Sequence, residues 1–160
     1  MRLLRLAANM ASFRTVRFNR TGLSLVVAEQ RSPKTNRTKT YNGVGKSLML
    51  ELLHYCLGAN ANKAFESHLK GWVFSLDIEI DGRQHTIARS ADKPKEIFLD
   101  SEEISLTKLR DHLEEASFEI GGHTPSLTFR SLLQRFVRSG RDAYSSFYYA
   151  HGSERSDPVL

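Results

Sequence analysis

The 160-residue sequence has one cysteine, one tryptophan and four prolines. The lone thiol, Cys56, has no partner within the chain, so a disulfide scaffold is excluded and a reducing, cytoplasmic setting is expected. No apolar run approaches the roughly 20 residues that a membrane helix requires, so no membrane association is expected. The N-terminal Met1-Arg-Leu-Leu-Arg-Leu-Ala-Ala8 contains no unbroken apolar stretch of signal-peptide length, because Arg5 interrupts it. A first edge strand is favoured there over an Arg-rich transit peptide. Internal repeats and heptads are absent. Acid is also nearly missing from the first quarter: residues 1–40 hold nine Lys/Arg and only Glu29, a net of +8, whereas residues 41–160 hold fourteen Lys/Arg against seventeen acids, a net of −3. What is present, 40% hydrophobic and 26% charged residues with a mean hydropathy of −0.39, is the composition of a globular domain. The charge asymmetry favours a polyanionic partner without specifying a fold.

Residues 13–18 and 23–28 read as strands joined by the turn-forming Asn19-Arg-Thr-Gly22. Residues 30–40 are polar and aperiodic and read as an exposed loop. From Lys46 to Leu57 the pattern becomes helical and apolar nearly all round, broken only by Glu51 and His54, with Gly58 as a stop. Such a helix is expected to be buried between layers. Trp72, Phe74, Leu76, Ile78 and Ile80 then alternate with Ser75, Asp77 and Glu79. Asp81-Gly82 reads as a hairpin turn, 83–89 as the return strand and 96–99 as a third, short strand, giving an antiparallel meander. Leu106, Leu109, Leu113 and Ala116 have helical spacing. So do Leu133, Phe136 and Val137, with Thr124 as expected N-cap, Pro125 in the first turn and Gly140 beyond the end. Residues 141–160 show no periodicity.

The chemistry is concentrated in Tyr41-Asn42-Gly43-Val44-Gly45-Lys46-Ser47, between an expected strand and an apolar helix. Glycines let backbone N–H groups turn inward as a concave nest for phosphate oxygens. Lys46 is placed to reach terminal phosphates, the Ser47 hydroxyl to ligate Mg²⁺, and the helix beginning at Lys46 presents its positive dipole end to the same anion. The full phosphate-loop pattern asks for a glycine at position 40, where this chain has threonine. The competing reading is a Gly-rich turn capping a core helix, and phosphate binding is favoured over it.

Asn42 to Ser47, followed by Leu48-Met-Leu-Glu-Leu-Leu-His-Tyr-Cys-Leu-Gly58, resembles the N-terminal head of SMC-type ATPases, the group that includes SbcC, RecF and RecN. Within that group it is similar to bacterial SMC-like proteins of uncharacterised type, some of them components of multi-gene defence systems. Gly22-Leu23-Ser24-Leu25 echoes a step that precedes the loop in those heads. The resemblance covers roughly residues 10–140 and is sharp only over 42–58. It implies an α/β P-loop NTPase fold, namely the N-terminal lobe of an ABC/SMC-type head (residues 1–140) with an antiparallel meander around a buried helix. Residues 141–160 are then a loose tail or the start of a missing region. It implies ATP and Mg²⁺ as ligands, with Asn42, Gly43, Val44, Gly45, Lys46, Ser47 and Leu48 at the nucleotide. It also implies a role in DNA repair or antiviral defence. The C-terminal lobe, which carries the signature and Walker B motifs, is not in the sequence. Hydrolysis therefore needs that half, or a second head in an ATP-sandwich dimer, as partner, and the chain reads as a fragment or truncated product. Lys46 and Gln134 are the catalytic candidates, Gln134 also as a metal contact. The alternative for Gln134 is a solvent-facing helix position. Arg14 or Arg17 corresponds either to a nucleotide-contacting arginine or to an exposed strand residue.

Ile97-Phe-Leu-Asp100 with Glu102 imitates a Walker B strand, but only three apolar residues precede the acid, so a strand end is favoured. The basic loop carrying Arg31, Lys34, Arg37 and Lys39 departs from the family. It reads either as a contact for DNA or an acidic partner such as another defence-complex subunit, or as a solvated excursion. This leaves an alternative function, a non-hydrolysing DNA- or partner-binding module. A compact P-loop kinase fits poorly, because two strands precede Gly43 and a hairpin follows the helix. The six histidines lack ligand spacing, so no zinc site is expected.

Overall fold

A computed structural model describes residues 1–27, 45–118 and 128–138. The elements are β1 (Arg2–Ala8), β2 (Val16–Arg17), α1 (Lys46–Cys56), α2 (Lys63–His68), β3 (Val73–Ile80), β4 (Arg83–Ser90), β5 (Ile97–Leu99), β6 (Glu102–Glu103), α3 (Leu106–Ser117) and α4 (Phe129–Phe136). The strands form one six-stranded sheet in the order β2-β1-β3-β4-β5-β6, and every pairing is antiparallel.

This overturns the expected α/β P-loop NTPase fold. That fold requires parallel strands linked through crossover helices. Here neighbouring strands run in opposite senses, and the four short helices accompany an open antiparallel sheet. The segment expected to lead into the phosphate loop as a strand, Leu23 to Val27, forms none; Leu23 is 79% and Leu25 76% exposed. An alternating apolar run needs a neighbouring strand to satisfy its backbone, and among the described residues these five have no such partner. The expected strand at 13–18 shrinks to Val16–Arg17. The N-terminal strand is present, but β2 lies outside it, so β1 is not an edge.

The local hairpin signals do produce their structure. Asp81 (φ 48°) and Gly82 (φ 77°) both adopt left-handed backbone, the two-residue turn whose twist matches that of its flanking strands. Phe74, Leu76, Ile78 and Ile80 are buried on one face of β3, and the β4 register continues that face through His85, Ile87 and Arg89. Leu6 on β1 and Ile97 on β5 extend it to both sides. A register shift between Leu3 and Arg5 places both Arg2 and Arg5 opposite acids of the outer face. Arg2 pairs with Glu79 at 2.9 Å and Arg5 with Asp77 at 2.7 Å.

Helix α1 packs on the inner face through Leu52, Leu53, Tyr55 and Cys56. Its first turn is exposed, so burial between layers applies only to its C-terminal half. Two elements go beyond the sequence reading: α2, capped by the Asn62 side chain, and β6, reached through a second left-handed turn at Asp100-Ser101. Asp100 is a turn residue whose carboxylate accepts from the Thr86 N–H at 2.7 Å and pairs with His85 Nδ1 at 2.6 Å. That agrees with a strand end and not with a Walker B acid. Helix α4 is capped by Thr128 in a reciprocal arrangement with Ser131. Thr124, Pro125, Gly140 and the tail 141–160 lie outside the described residues. No described helix is long and apolar enough to cross a membrane.

Candidate functional site

Gly45 is the N-cap of α1, with φ 81° and ψ 11°, a left-handed conformation that glycine adopts without a Cβ penalty. Its carbonyl accepts the first helical bond, from the Met49 N–H at 2.9 Å. No side chain caps this end and no acid sits in the first turn, so its N–H groups and positive dipole end are not neutralised by the helix itself. Lys46, Ser47 and Leu48 follow on the exposed first turn. Asn42, Gly43 and Val44 lie outside the described residues, as do Arg31, Lys34, Arg37 and Lys39.

Gly45, Lys46 and Leu48 border a cavity of about 690 Å³ that also contains Arg14, Phe13, Trp72 and Phe74. The aromatic wall is ordered by its own contacts. Phe13 meets Trp72 and Phe74 edge-on at 6.5 and 5.7 Å, and Trp72 stacks on Phe74 at 5.6 Å. An edge-on aromatic cluster thus borders the same cavity as two cations and a helix N-terminus, at a size within the range of small-molecule sites. Arg14 is brought to this cavity. Arg17 instead sits on β2 opposite Arg5.

Gln134 is placed elsewhere. It lies on α4 and lines a separate cavity of about 390 Å³ with residues of α3. Helix α4 meets α1 at the far end: His54 Nε2 lies 2.7 Å from the Val137 carbonyl and Nδ1 lies 3.3 Å from Arg130 Nη2. Because a guanidinium only donates, Nδ1 is the acceptor and Nε2 carries the hydrogen donated to Val137. His54 is eight residues beyond Lys46, roughly 12 Å along the helix axis, so the catalytic candidates Lys46 and Gln134 border different cavities.

The aromatic wall escapes a reading of the sequence as a site, since Trp72 and Phe74 fit an ordinary core face; the signal available is the unusual density of large aromatics where β3 begins. Three of the five arginines in the described part of the basic quarter are engaged across the sheet, Arg2 and Arg20 with Glu79 and Arg5 with Asp77. Cys56 is fully buried, and burial pushes its thiol up to about 12, so it is not a nucleophile. Among the described residues no group of three or more His, Cys, Asp or Glu side chains is positioned to hold a metal. Were magnesium held here with a nucleotide, the Ser47 hydroxyl on the exposed first turn would be a suitable hard ligand.

A segment of 144 residues is 24% identical to the uncharacterised protein YydD of Bacillus subtilis (strain 168), over 81% of this chain and 24% of that protein. The chain thus spans about a quarter of that relative's length. No protein-family model matches the sequence.

Proposed function

We propose that this chain binds Mg²⁺ and the phosphates of a nucleoside triphosphate at the N-terminus of α1, and that it is the nucleotide-binding portion of a larger, SMC-like ATP-dependent protein. The observation that carries this reading is the left-handed Gly45 cap opening an exposed helix start that bears Lys46, Ser47 and no acid, beside a cavity with an aromatic wall. Triphosphate charge is favoured by the helix dipole and Lys46, and a nucleobase by the half-buried Phe13 and Trp72, backed by the buried Phe74. The motif over residues 42–47 supports the reading from sequence, independently of the sheet. The P-loop fold is not part of this reading: anion binding at a helix N-terminus depends on the cap and its amides, not on parallel strands.

Phosphoryl transfer requires an in-line nucleophilic water, a group to orient it and neutralisation of developing charge. The described residues supply only neutralisation at this cavity, so turnover depends on groups from a C-terminal half or a second copy. Isothermal titration with MgATP tests the reading. Saturable binding is expected, weakened at least about tenfold by Lys46→Ala, with the magnesium requirement reduced by Ser47→Ala. Binding that is indifferent to Lys46, or ATPase activity of the 160 residues that survives Lys46→Ala, overturns it.

A further inference from the structure

At the C-terminal end of α1, three arginines converge from three other elements. Arg89 of β4 donates from Nη1 to the carbonyls of Tyr55 at 2.7 Å and Ala59 at 2.6 Å. Arg110 of α3 donates from Nε to the Gly58 carbonyl and from Nη2 to Asn60 Oδ1, both at 2.8 Å. Arg130 of α4 reaches the carbonyls of His54 and Leu57 at 3.4 and 3.3 Å. A helix C-terminus carries about half a negative charge, which is far short of three cations. Among the described residues, none of the three guanidiniums is in an ion pair. Burial above all, with the charges of Arg110 and Arg89 adding to it, pushes Arg130 down to about 10.

Arg110 and Arg130 both line the cavity of about 390 Å³ between α3 and α4. Arg110 leaves Nη1, and Arg130 leaves Nε, without a hydrogen bond among the described residues. Asn60 and Gln134 bring side-chain amides to the same space. Two carboxylates also line it. Glu114 already accepts the Phe129 N–H at 2.9 Å, whereas Asp111 is exposed and has no polar contact among the described residues.

We propose that this cavity binds a small, multiply charged oxyanion of the size of inorganic phosphate, held by the forked donors of Arg110 and Arg130. Guanidinium forks match the oxygen spacing of such anions and supply both charge and direction. The site is distinct from the nucleotide site: the two lie at opposite ends of α1, roughly 16 Å apart along its axis. Asp111 and Glu114 both oppose the anion, so affinity is set below what the arginines alone provide.

The test titrates inorganic phosphate, at ionic strength held constant with sodium chloride, into the ¹⁵N-labelled full chain carrying Lys46→Ala. That background removes phosphate binding at the other end of α1, so failure of the nucleotide reading leaves this experiment intact. Saturable shifts of the Asn60 and Gln134 side-chain amide resonances are expected, and Arg110→Gln is expected to abolish them. Because Arg110 also holds Gly58 and Asn60, a second variant is decisive if Arg110→Gln does not fold. Asp111→Asn alters an exposed residue and is expected to tighten phosphate binding about threefold, the scale of one exposed charge interaction. Shifts that fail to saturate, or an Asp111→Asn curve that superimposes on its parent, overturn the proposal.

Discussion

Arg89 shows how a single charged residue can serve as a core residue. It is 1% exposed, yet each of its contacts is to a neutral acceptor: the Tyr55, Ala59 and Pro94 carbonyls, with the guanidinium carbon 3.9 Å from the Tyr55 ring centre. It adds a second donor to the Tyr55 carbonyl, which the Gly58 N–H also reaches, and supplies one to the Ala59 carbonyl just beyond α1. Replacing it with methionine preserves volume and removes the side-chain donor of the Ala59 and Pro94 carbonyls, while the Tyr55 carbonyl keeps the Gly58 N–H, so a loss of about 3 kcal/mol in urea unfolding is expected. Lysine keeps the charge without the fork and should recover only part of that loss. Asp100 gives a residue-scale prediction in pH. Burial works against its charge, but the Thr86 N–H and His85 outweigh this and hold its carboxyl below the ordinary value. A depressed folded pKa means stability that is present above the unfolded value, near 4, and lost as pH falls through the lower folded value. Asp100→Asn should therefore lower the thermal midpoint at pH 6 to 7, and the gap to the parent should close in acid below about pH 3. A gap that stays constant down to pH 2 removes the ion pair with His85 as its cause. Period-2 counting carried from Ile80 across the turn places Arg89 inward, but burying an arginine contradicts the usual rule. The two shortest of the contacts that reverse the rule go to carbonyls at and just beyond the end of α1, thirty or more residues away in sequence, and are invisible to local pattern.

At the scale of elements, the signals that succeed are those whose stabilising contacts are local. The alternation of β3, the Asp81-Gly82 turn and the helical spacing of α1 and α3 each depend on neighbours within a few residues, and each element forms within about two residues of its expected bounds. The signals that fail depend on partners elsewhere. Leu23 to Val27 has the alternation of a strand but no pairing among the described residues, and Thr124 offered a cap that Thr128 provides. The fold class fails for the same reason: the phosphate-loop motif reports on a helix start and is silent on whether the sheet behind it is parallel. Gly45 tests the motif as an element. A Cβ there meets nothing within 4 Å, so the penalty for Gly45→Ala is conformational and not steric. It should amount to about 1–2 kcal/mol of stability, the strain of a left-handed alanine. The same substitution should weaken MgATP binding, since relaxation of that strain reorients the cap amides. Unchanged stability by thermal denaturation would show that α1 starts elsewhere in solution.

For the whole molecule, the question is how much of the basic first quarter is available to a polyanion. Nine Lys/Arg lie in residues 1–40, but Arg2, Arg5 and Arg20 are paired with Asp77 and Glu79 on the outer face of the sheet. Exposed pairs of this kind are each worth about 0.2–1 kcal/mol, which is enough to make a DNA phosphate compete for the arginine it recruits. The other six cations are Arg14 and Arg17, and Arg31, Lys34, Arg37 and Lys39 outside the described residues. Counterion release from duplex DNA then sets a slope of log affinity against log salt of roughly −5 if these six are used, against roughly −8 if all nine are. Neutralising Arg31, Lys34, Arg37 and Lys39 together should flatten the slope to roughly −2 and leave MgATP binding unchanged, because none of the four belongs to the residue 42–47 motif. Fluorescence anisotropy with a short duplex between 50 and 200 mM salt separates these cases. A slope near −8 would mean that DNA strips Asp77 and Glu79 from their arginines, and Asp77→Asn with Glu79→Gln should then raise affinity while leaving that slope in place. If six cations carry the interaction, the double variant instead steepens the slope toward −8, since three arginines are released to the phosphates. The sign of that change therefore distinguishes a face held closed by its own acids from one that DNA opens.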